Sequence, residues 1–229
     1  MMMLRRTILL GLLAAVSSGV TCQFTTPSET INVPLDEANA VITISQVAGD
    51  TEADVVAIIT TGLASAVTLE GDQAVAVNDQ ALQGPDVLGR YERTITAADT
   101  YTVTVSEPTR GVEETTITAP GAFDITAPAA GATVSLAGFN IAWSNPDATL
   151  QVRVTLTQTI FGYQRTQSFG PFADTGTLPL SVDQLRLFGQ GANLQIALTK
   201  INERAGVNGF NSATLSAELT QVVVAVPGT

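Results

Sequence analysis

Histidine is absent from the sequence of 229 residues, and lysine and cysteine each occur once, at Lys200 and Cys22. Without an imidazole there is no Ser-His-Asp or Cys-His nucleophile and no histidine metal ligand. A serine–lysine dyad would have to use Lys200, which follows the alternating segment 194–199 and is predicted to be a solvated strand end. The sequence therefore predicts a protein that is not an enzyme and that needs no cofactor.

Three carboxylates alternate in a short acidic segment, at Asp50, Glu52 and Asp54. Carboxylate oxygens are the ligands that calcium prefers, but a full calcium site takes about 6–8 oxygens, and the spaced Asp-Gly-Glu pattern of a calcium loop is missing here. The segment is therefore a weak calcium candidate. The competing interpretation is a solvated turn that keeps the sheet soluble, and no other metal site is expected.

Two aromatic residues, Phe161 and Tyr163, flank a glycine between segments rich in threonine and glutamine. One interpretation is an exposed hairpin tip that contacts a partner; the other is a pair of core-facing strand residues beside a bulge. Trp143 has the ring to stack on a sugar, but its place in the apolar segment 141–143 favours the core. Phe161 and Tyr163 are therefore the candidate contact residues.

The sequence holds 21 acidic residues against 10 basic ones, which gives a formal net charge of −11. A surplus of negative charge repels polyanions, so nucleic acid is not expected as a partner. Hydrophobic residues make up 45% of the chain and charged residues 14%. That composition predicts a globular protein with a buried core rather than a disordered chain.

The amino terminus has the three parts of a secretory signal. Arg5 and Arg6 supply positive charge, and residues 8–16 form an apolar run that is shorter than the roughly 20 residues needed to span a membrane. Small residues follow at 17–19, near the expected cleavage site. Residues 1–21 are therefore predicted to be a signal peptide, and the mature protein is expected to be exported.

Cys22 directly follows this signal, in the segment Gly19-Val20-Thr21-Cys22. A cysteine in this place resembles the lipobox of bacterial lipoproteins, in which the cysteine becomes the lipidated first residue of the mature protein. The resemblance implies a lipid anchor at Cys22, a short tether over residues 22–27 and, because Gln23 rather than an aspartate follows the cysteine, attachment to the outer membrane. The competing interpretation is ordinary cleavage nearby, which would leave a free thiol.

Short alternating segments separated by turn residues dominate the rest of the chain. The predicted strands cover residues 41–44, 54–59, 66–69, 74–77, 91–95, 101–105, 112–118, 140–143, 150–158, 165–169, 194–199 and 213–226. Short strands at a spacing of roughly 8–12 residues are typical of β-sandwiches. Ser181 and Gln184 match a capping box, which predicts one helical turn over residues 182–187.

The Pro-Gly pair at residues 120–121 predicts a junction between two domains, residues 28–120 and 121–229. Segment 95–103, in which a tyrosine follows a turn, is similar to the tyrosine corner of immunoglobulin and fibronectin type III domains. Segment 139–143 resembles the strand that carries their core tryptophan. The resemblance implies two tandem immunoglobulin-like β-sandwich domains, and it supports a fold rather than an activity.

These features together predict an all-β, lipid-anchored envelope protein with a binding, spacing or assembly role. The expected partners are the membrane, through the anchor, and an envelope or extracellular protein. The competing hypothesis is a carbohydrate-binding module for a neutral glycan, which would need clustered and exposed aromatic side chains.

Overall fold

A computed structural model describes residues 33–62, 65–86 and 89–228. Within these residues the protein is nearly all β-structure, which confirms the all-β fold class expected from the alternating sequence. The predicted signal peptide, Cys22 and the tether over residues 22–27 lie outside the described residues, so the lipid anchor stays a prediction.

The strands that the structure describes are listed here in chain order. They are β1 Asn39–Val47, β2 Glu52–Thr61, β3 Ser65–Ala66, β4 Ala74–Val77, β5 Gln80–Ala81, β6 Arg90–Thr96, β7 Thr100–Glu107, β8 Gly111–Thr118, β9 Ile125–Ala127, β10 Thr133–Ser135, β11 Gly138–Trp143, β12 Gln151–Ile160, β13 Tyr163–Ala173, β14 Thr177–Ser181, β15 Leu194–Ala205 and β16 Ser212–Gly228. A 3-10 turn covers Leu35–Glu37, and the helical turn α1 covers Val182–Leu185.

One large sheet runs through both halves of the chain. Its strands follow the order β13-β12-β15-β16-β1-β2-β3, with β6 also paired to β2 and β10 paired to the end of β16. Two smaller sheets have the orders β5-β4-β7-β8 and β14-β11-β9. The large sheet and the small sheets share two clusters of buried apolar side chains, so the architecture is that of layered sheets packed face to face.

Each cluster combines one part of the large sheet with one of the small sheets. The largest fully buried side chains of the first core are Leu35, Ile42, Ile44, Ile59 and Tyr101. Those of the second core are Ile141, Leu156, Leu185, Leu194, Ile196 and Leu198. Burying a side chain of this size contributes about 1.5–3 kcal/mol before the entropy of ordering is counted.

The last strand, β16, belongs to both cores. Its first part pairs in parallel with β1, from Ser212 opposite Asn39 to Thr220 opposite Val47, and Leu215 packs in the first core. Its second part carries Val223, which packs in the second core. The predicted division into residues 28–120 and 121–229 stays a prediction; the structure adds that residues after 200 complete the first core.

Period-two alternation sets which side chains reach the cores. In β7, Tyr101, Val103 and Val105 are buried while the threonines between them are half-buried. The Tyr101 hydroxyl accepts a hydrogen bond from the Ala98 N–H at 3.3 Å. A buried tyrosine hydroxyl needs such a partner, and the turn before β7 supplies it.

The capping box at the start of α1 was foreseen from the sequence. The side-chain oxygen of Gln184 accepts the Ser181 backbone N–H at 2.9 Å, which satisfies a donor that a helix start leaves free. The turn ends at Leu185, earlier than the predicted residue 187. The predicted strand 66–69 is reduced to the end of β3, and the short strands β5, β9, β10 and β14 were not predicted.

Candidate functional site

The turn between β12 and β13 places two aromatic rings in solvent. Ile160 pairs with Tyr163, so Phe161 and Gly162 form a two-residue hairpin turn. Phe161 has φ 50° and Gly162 has φ 81°, the left-handed pair that a tight hairpin of this type requires. Glycine adopts this conformation freely, whereas a bulky side chain adopts it at a cost.

Exposure decides between the two interpretations of this segment. Phe161 is 95% exposed and Tyr163 is 77% exposed. The alternative in which both residues face the core beside a bulge is therefore wrong, because a core residue would be nearly inaccessible. We define the aromatic tip as Ile160–Tyr163; its role in contacting a partner stays a prediction.

The base of the hairpin is tied to the loop between α1 and β15. The buried amide of Gln158 donates to the carbonyls of Gly189 and Ala192, both at 2.8 Å, and accepts the Gly189 N–H at 2.9 Å. Arg165 donates to the Leu187 carbonyl at 2.7 Å. Because these bonds hold both strands just behind the turn, the aromatic tip projects from a supported base.

Strand β13 stands at the end of the large sheet's order and presents mostly exposed side chains. An edge strand offers its backbone to further strands unless something blunts it. Pro171 lies within β13 and has no N–H to donate, and a register shift interrupts its pairing with β12 between Val152 and Val154. At the end far from the aromatic tip, β13 is therefore less able to pair with a further strand.

The three acidic residues of the calcium candidate lie around the β1–β2 turn. Asp50 is in the turn, and Glu52 and Asp54 are exposed on the same face of β2. The Asp54 carboxylate accepts the Thr94 hydroxyl at 2.8 Å. Among residues 33–62, 65–86 and 89–228, no group of three or more acidic or cysteine side chains is placed to hold a metal ion, and the calcium site stays a prediction.

Lys200 was expected to be a solvated strand end, and that prediction is wrong. Lys200 lies inside β15 and continues the inward alternation of Ile196 and Leu198. Its side chain is 1% exposed, and its ammonium lies 2.9 Å from Oδ2 of Asp174, with which it forms an ion pair. The Asp174 side chain is fully buried. The inward parity of residue 200 is the sequence signal that would have located this pair.

Every oxygen of the buried carboxylate has partners. Oδ1 of Asp174 accepts the indole N–H of Trp143 at 2.6 Å and the Gly176 N–H at 3.3 Å. Oδ2 accepts the Asp147 backbone N–H at 3.1 Å in addition to the lysine. Trp143 is thus a core residue, as predicted, and its polar N–H is committed to Asp174.

The ammonium of Lys200 has two further neighbours. It donates to the backbone carbonyl of Asn145 and lies 4.9 Å from the centre of the Phe123 ring, within the range of a cation–π contact. We define the buried charged cluster as Lys200, Asp174, Trp143 and Phe123. Within it, the charges of Lys200 and Asp174 neutralise each other, and the two aromatic side chains contact the ion pair.

A shallow depression opens beside this cluster. It has a volume of about 550 Å³ and is lined by Gly121, Asn145, Asp147, Leu150 and Lys200, among others. Hydrogen bonds from the Thr149 hydroxyl and backbone N–H lower the pKa of the Asp147 carboxyl, and the charge of Lys200 lowers it further. A second depression of about 230 Å³ lies near the predicted junction between the halves.

Comparison with known proteins adds no assignment: the sequence matches no protein-family model, and no curated protein is significantly similar to it.

In the part of the chain that the structure describes, none of the helices has the length and apolar composition to cross a membrane.

Proposed function

We propose that this protein is an exported, non-enzymatic envelope protein, anchored by lipid at Cys22, that binds another envelope or extracellular protein through its aromatic tip. The observation that carries the proposal is the exposure of Phe161 and Tyr163 at the end of a supported hairpin. Lipidation and export rest on the sequence of residues 1–22 alone.

Two large rings in solvent need an explanation other than core packing. Aromatic side chains are enriched in protein interfaces, where a few of them dominate the binding energy. Phe161 also holds a left-handed backbone conformation, which is unfavourable for a bulky residue and which concentrates at functional positions. A polar side chain would have served a purely structural turn at lower cost.

The surroundings of the tip favour a protein partner. The neighbouring strand positions carry Gln164, Arg165 and Thr166, which can form hydrogen bonds at the polar rim of an interface. The net charge of −11 opposes binding to a polyanion. Trp143 is buried, and among the residues that the structure describes the exposed aromatic side chains are Phe161 and Tyr163, so a sugar-stacking platform in this part of the chain would have to use these two.

The binding role can be tested by placing a photo-cross-linking phenylalanine analogue at position 163 in intact cells of the producing organism. We expect a discrete protein adduct that is lost when Phe161→Ser is added. Position 112 is the matched control, because Val112 is 65% exposed on β8 in the other half. Equal adducts at both positions, or none at 163, would contradict the proposal. Binding of a neutral glycan that needs Tyr163 would favour the carbohydrate-binding hypothesis.

The anchor has its own test, which is independent of the tip. Cys22→Ala should move the protein from the membrane fraction to the soluble fraction and remove the lipid from its processed mass. Unchanged fractionation and unchanged mass would exclude lipidation at Cys22 without bearing on the aromatic tip.

A further inference from the structure

We propose that Lys200 and Asp174 condense within the folded protein to form an amide cross-link. The ammonium nitrogen and Oδ2 lie 2.9 Å apart, and both side chains are essentially inaccessible to solvent. The binding role proposed for the aromatic tip does not involve this pair, so the two proposals are independent of each other.

The surroundings favour a neutral product over the ion pair. Two opposite charges buried together retain a desolvation penalty that their attraction offsets incompletely. An amide carries no net charge and keeps one N–H donor and one carbonyl acceptor. The aromatic rings of Phe123 and Trp143 line the site and suit an uncharged amide as well as they suit a cation.

The reaction balances without any external reagent. One proton passes from Nζ of Lys200 to Oδ2 of Asp174, and the neutral amine then attacks Cγ to give a tetrahedral intermediate with its negative charge on Oδ1. A second proton moves from Nζ to Oδ2, the Cγ–Oδ2 bond breaks and one water molecule leaves. Nζ keeps one hydrogen as the amide N–H, and no atom is oxidised or reduced.

The hydrogen-bond partners already present match this course. The Trp143 indole N–H at 2.6 Å and the Gly176 N–H at 3.3 Å point at Oδ1, where the negative charge develops; fixed donors at such an oxygen stabilise the transition state. The Asn145 carbonyl accepts a hydrogen bond from Nζ. It can accept a hydrogen bond from the N–H of the product amide in the same way. Holding both groups in contact replaces an encounter between separate molecules, which raises the effective concentration greatly.

The depression beside the cluster gives the released water a way out. Lys200 and Asp147 both line it, and the Asp147 N–H contacts the oxygen that departs, Oδ2 of Asp174, at 3.1 Å. The product would tie β15 covalently to the loop between β13 and β14.

The single lysine makes the test direct. A lysine-specific protease, applied to the full chain in denaturant, cuts an unmodified protein once, after Lys200. We expect the wild-type chain to resist cleavage and the Asp174→Ala variant to be cut into two fragments. Because the digestion is done in denaturant, burial of Lys200 cannot protect it, and only acylation of the amine can.

Mass spectrometry supplies the second measurement. The wild-type chain, purified folded, should weigh one water molecule less than its processed sequence. Asp174→Asn keeps an electrophilic carbon, so it should lose ammonia instead of water and yield the same branched peptide. Trp143→Phe keeps a ring and removes the donor to Oδ1, so it should slow the reaction in freshly folded protein.

Two results would overturn the proposal, and neither depends on a variant folding. One is a folded wild-type chain that retains its full processed mass and is cut after Lys200 following prolonged incubation. The other is a wild-type chain that loses ammonia rather than water, because an ammonia loss would assign the bond to an amide side chain instead of Asp174.

Discussion

The two cores of the molecule satisfy their buried polar groups in different ways. In the first core the buried groups are neutral: the Tyr91 hydroxyl donates to the Val67 carbonyl and accepts the Leu69 N–H, both at 2.9 Å. In the second core an ammonium and a carboxylate are buried as a pair at 2.9 Å. The cores share the strand β16 and the alternation of their strands, so the contrast lies in a few inward positions.

In the second core, the inward-facing residues change from apolar to polar at the ends of two strands. Along β12 the inward apolar residues end with Gln158, next to the aromatic tip, and along β15 they end with Lys200. Since Leu194 is opposite Gln158 and Lys200 is opposite Val152, the two polar residues lie at opposite ends of this core. One end supports the exposed aromatic tip, and the other encloses the buried ion pair.

This difference shows that neutral and charged buried groups differ in how much stability is lost when one partner is removed. A neutral hydrogen bond between buried partners contributes about 0.5–1.5 kcal/mol. Removing one partner of a buried ion pair costs about 3–5 kcal/mol, because the other charge is left without compensation. The second core should therefore be the more sensitive one to single polar substitutions.

The largest effect is expected from Asp174→Ala. The variant leaves the Lys200 ammonium and the Trp143 N–H without their acceptor, so the free energy of unfolding should fall by about 3–5 kcal/mol. Denaturant unfolding followed by tryptophan fluorescence measures it. Asp147→Ala is the control: its carboxylate lies in the neighbouring loop and is exposed, so its removal should change the stability far less.

A double variant tells whether charge is the cause. Lys200→Met combined with Asp174→Leu removes both charges and keeps apolar volume, so it should recover much of the stability that Asp174→Ala loses. If the double variant is as unstable as the single one, uncompensated charge is not the cause, and the loss comes from packing or from the missing cross-link proposed above.

The next effect tests whether the cores are coupled through β16. Leu215 is fully buried in the first core although it comes from the end of the chain. Leu215→Ala should cost about 2–4 kcal/mol through the cavity it leaves. Amide exchange should accelerate in β4 and β7 of the first core and also in β11 and β14 of the second core. Val222→Ala, at a partly exposed position of the same strand, is the matched control. Unchanged exchange in β11 and β14 would contradict the coupling.

Much of this fold was predictable because alternation is a local property. The alternation of Tyr101, Val103 and Val105 predicts a half-buried strand without any other information. In the same way, Ser181 together with Gln184 predicts the start of a helix. The parallel pairing of β1 with β16 joins residues about 170 positions apart, and no local pattern specifies such a pairing. The sequence therefore predicted the layers and a strand over residues 213–226, but not that this strand is common to both cores.

The candidate site was only partly predictable for a similar reason. Phe161 and Tyr163 stood out by residue type, but their exposure depends on the turn conformation of Phe161 and Gly162. Lys200 was interpreted from its charge, which favours solvent, although its parity in β15 favours the core. Its partner Asp174 lies beyond β13 and is brought to it by sheet pairing, which composition does not reveal.

A smaller effect is expected from removing a neutral hydroxyl in the first core. Tyr91→Phe loses a donor and an acceptor and leaves the Leu69 N–H without that partner, so it should cost about 1–2 kcal/mol. Tyr101→Phe loses one bond at 3.3 Å and should cost less. Denaturant midpoints of the two variants measure the difference; a loss for Tyr91→Phe as large as that of Asp174→Ala would remove the contrast between the cores.

The smallest effect concerns Glu218, which lies on β16 between the positions that serve the two cores. Burial raises the pKa of Glu218 above its ordinary value of 4.5, and the Arg153 guanidinium at 3.5 Å lowers it in part. Between 4.5 and the raised pKa the folded chain binds more protons than the unfolded chain, so stability falls as pH rises through that window. Glu218→Gln cannot ionise, and its stability relative to wild type should be greater at about pH 7 than at about pH 4. Thermal unfolding of both proteins at the two pH values measures this, with the exposed Glu52→Gln as control. The opposite order would mean that the attraction to Arg153 outweighs burial, and that the strand common to both cores favours a charge there.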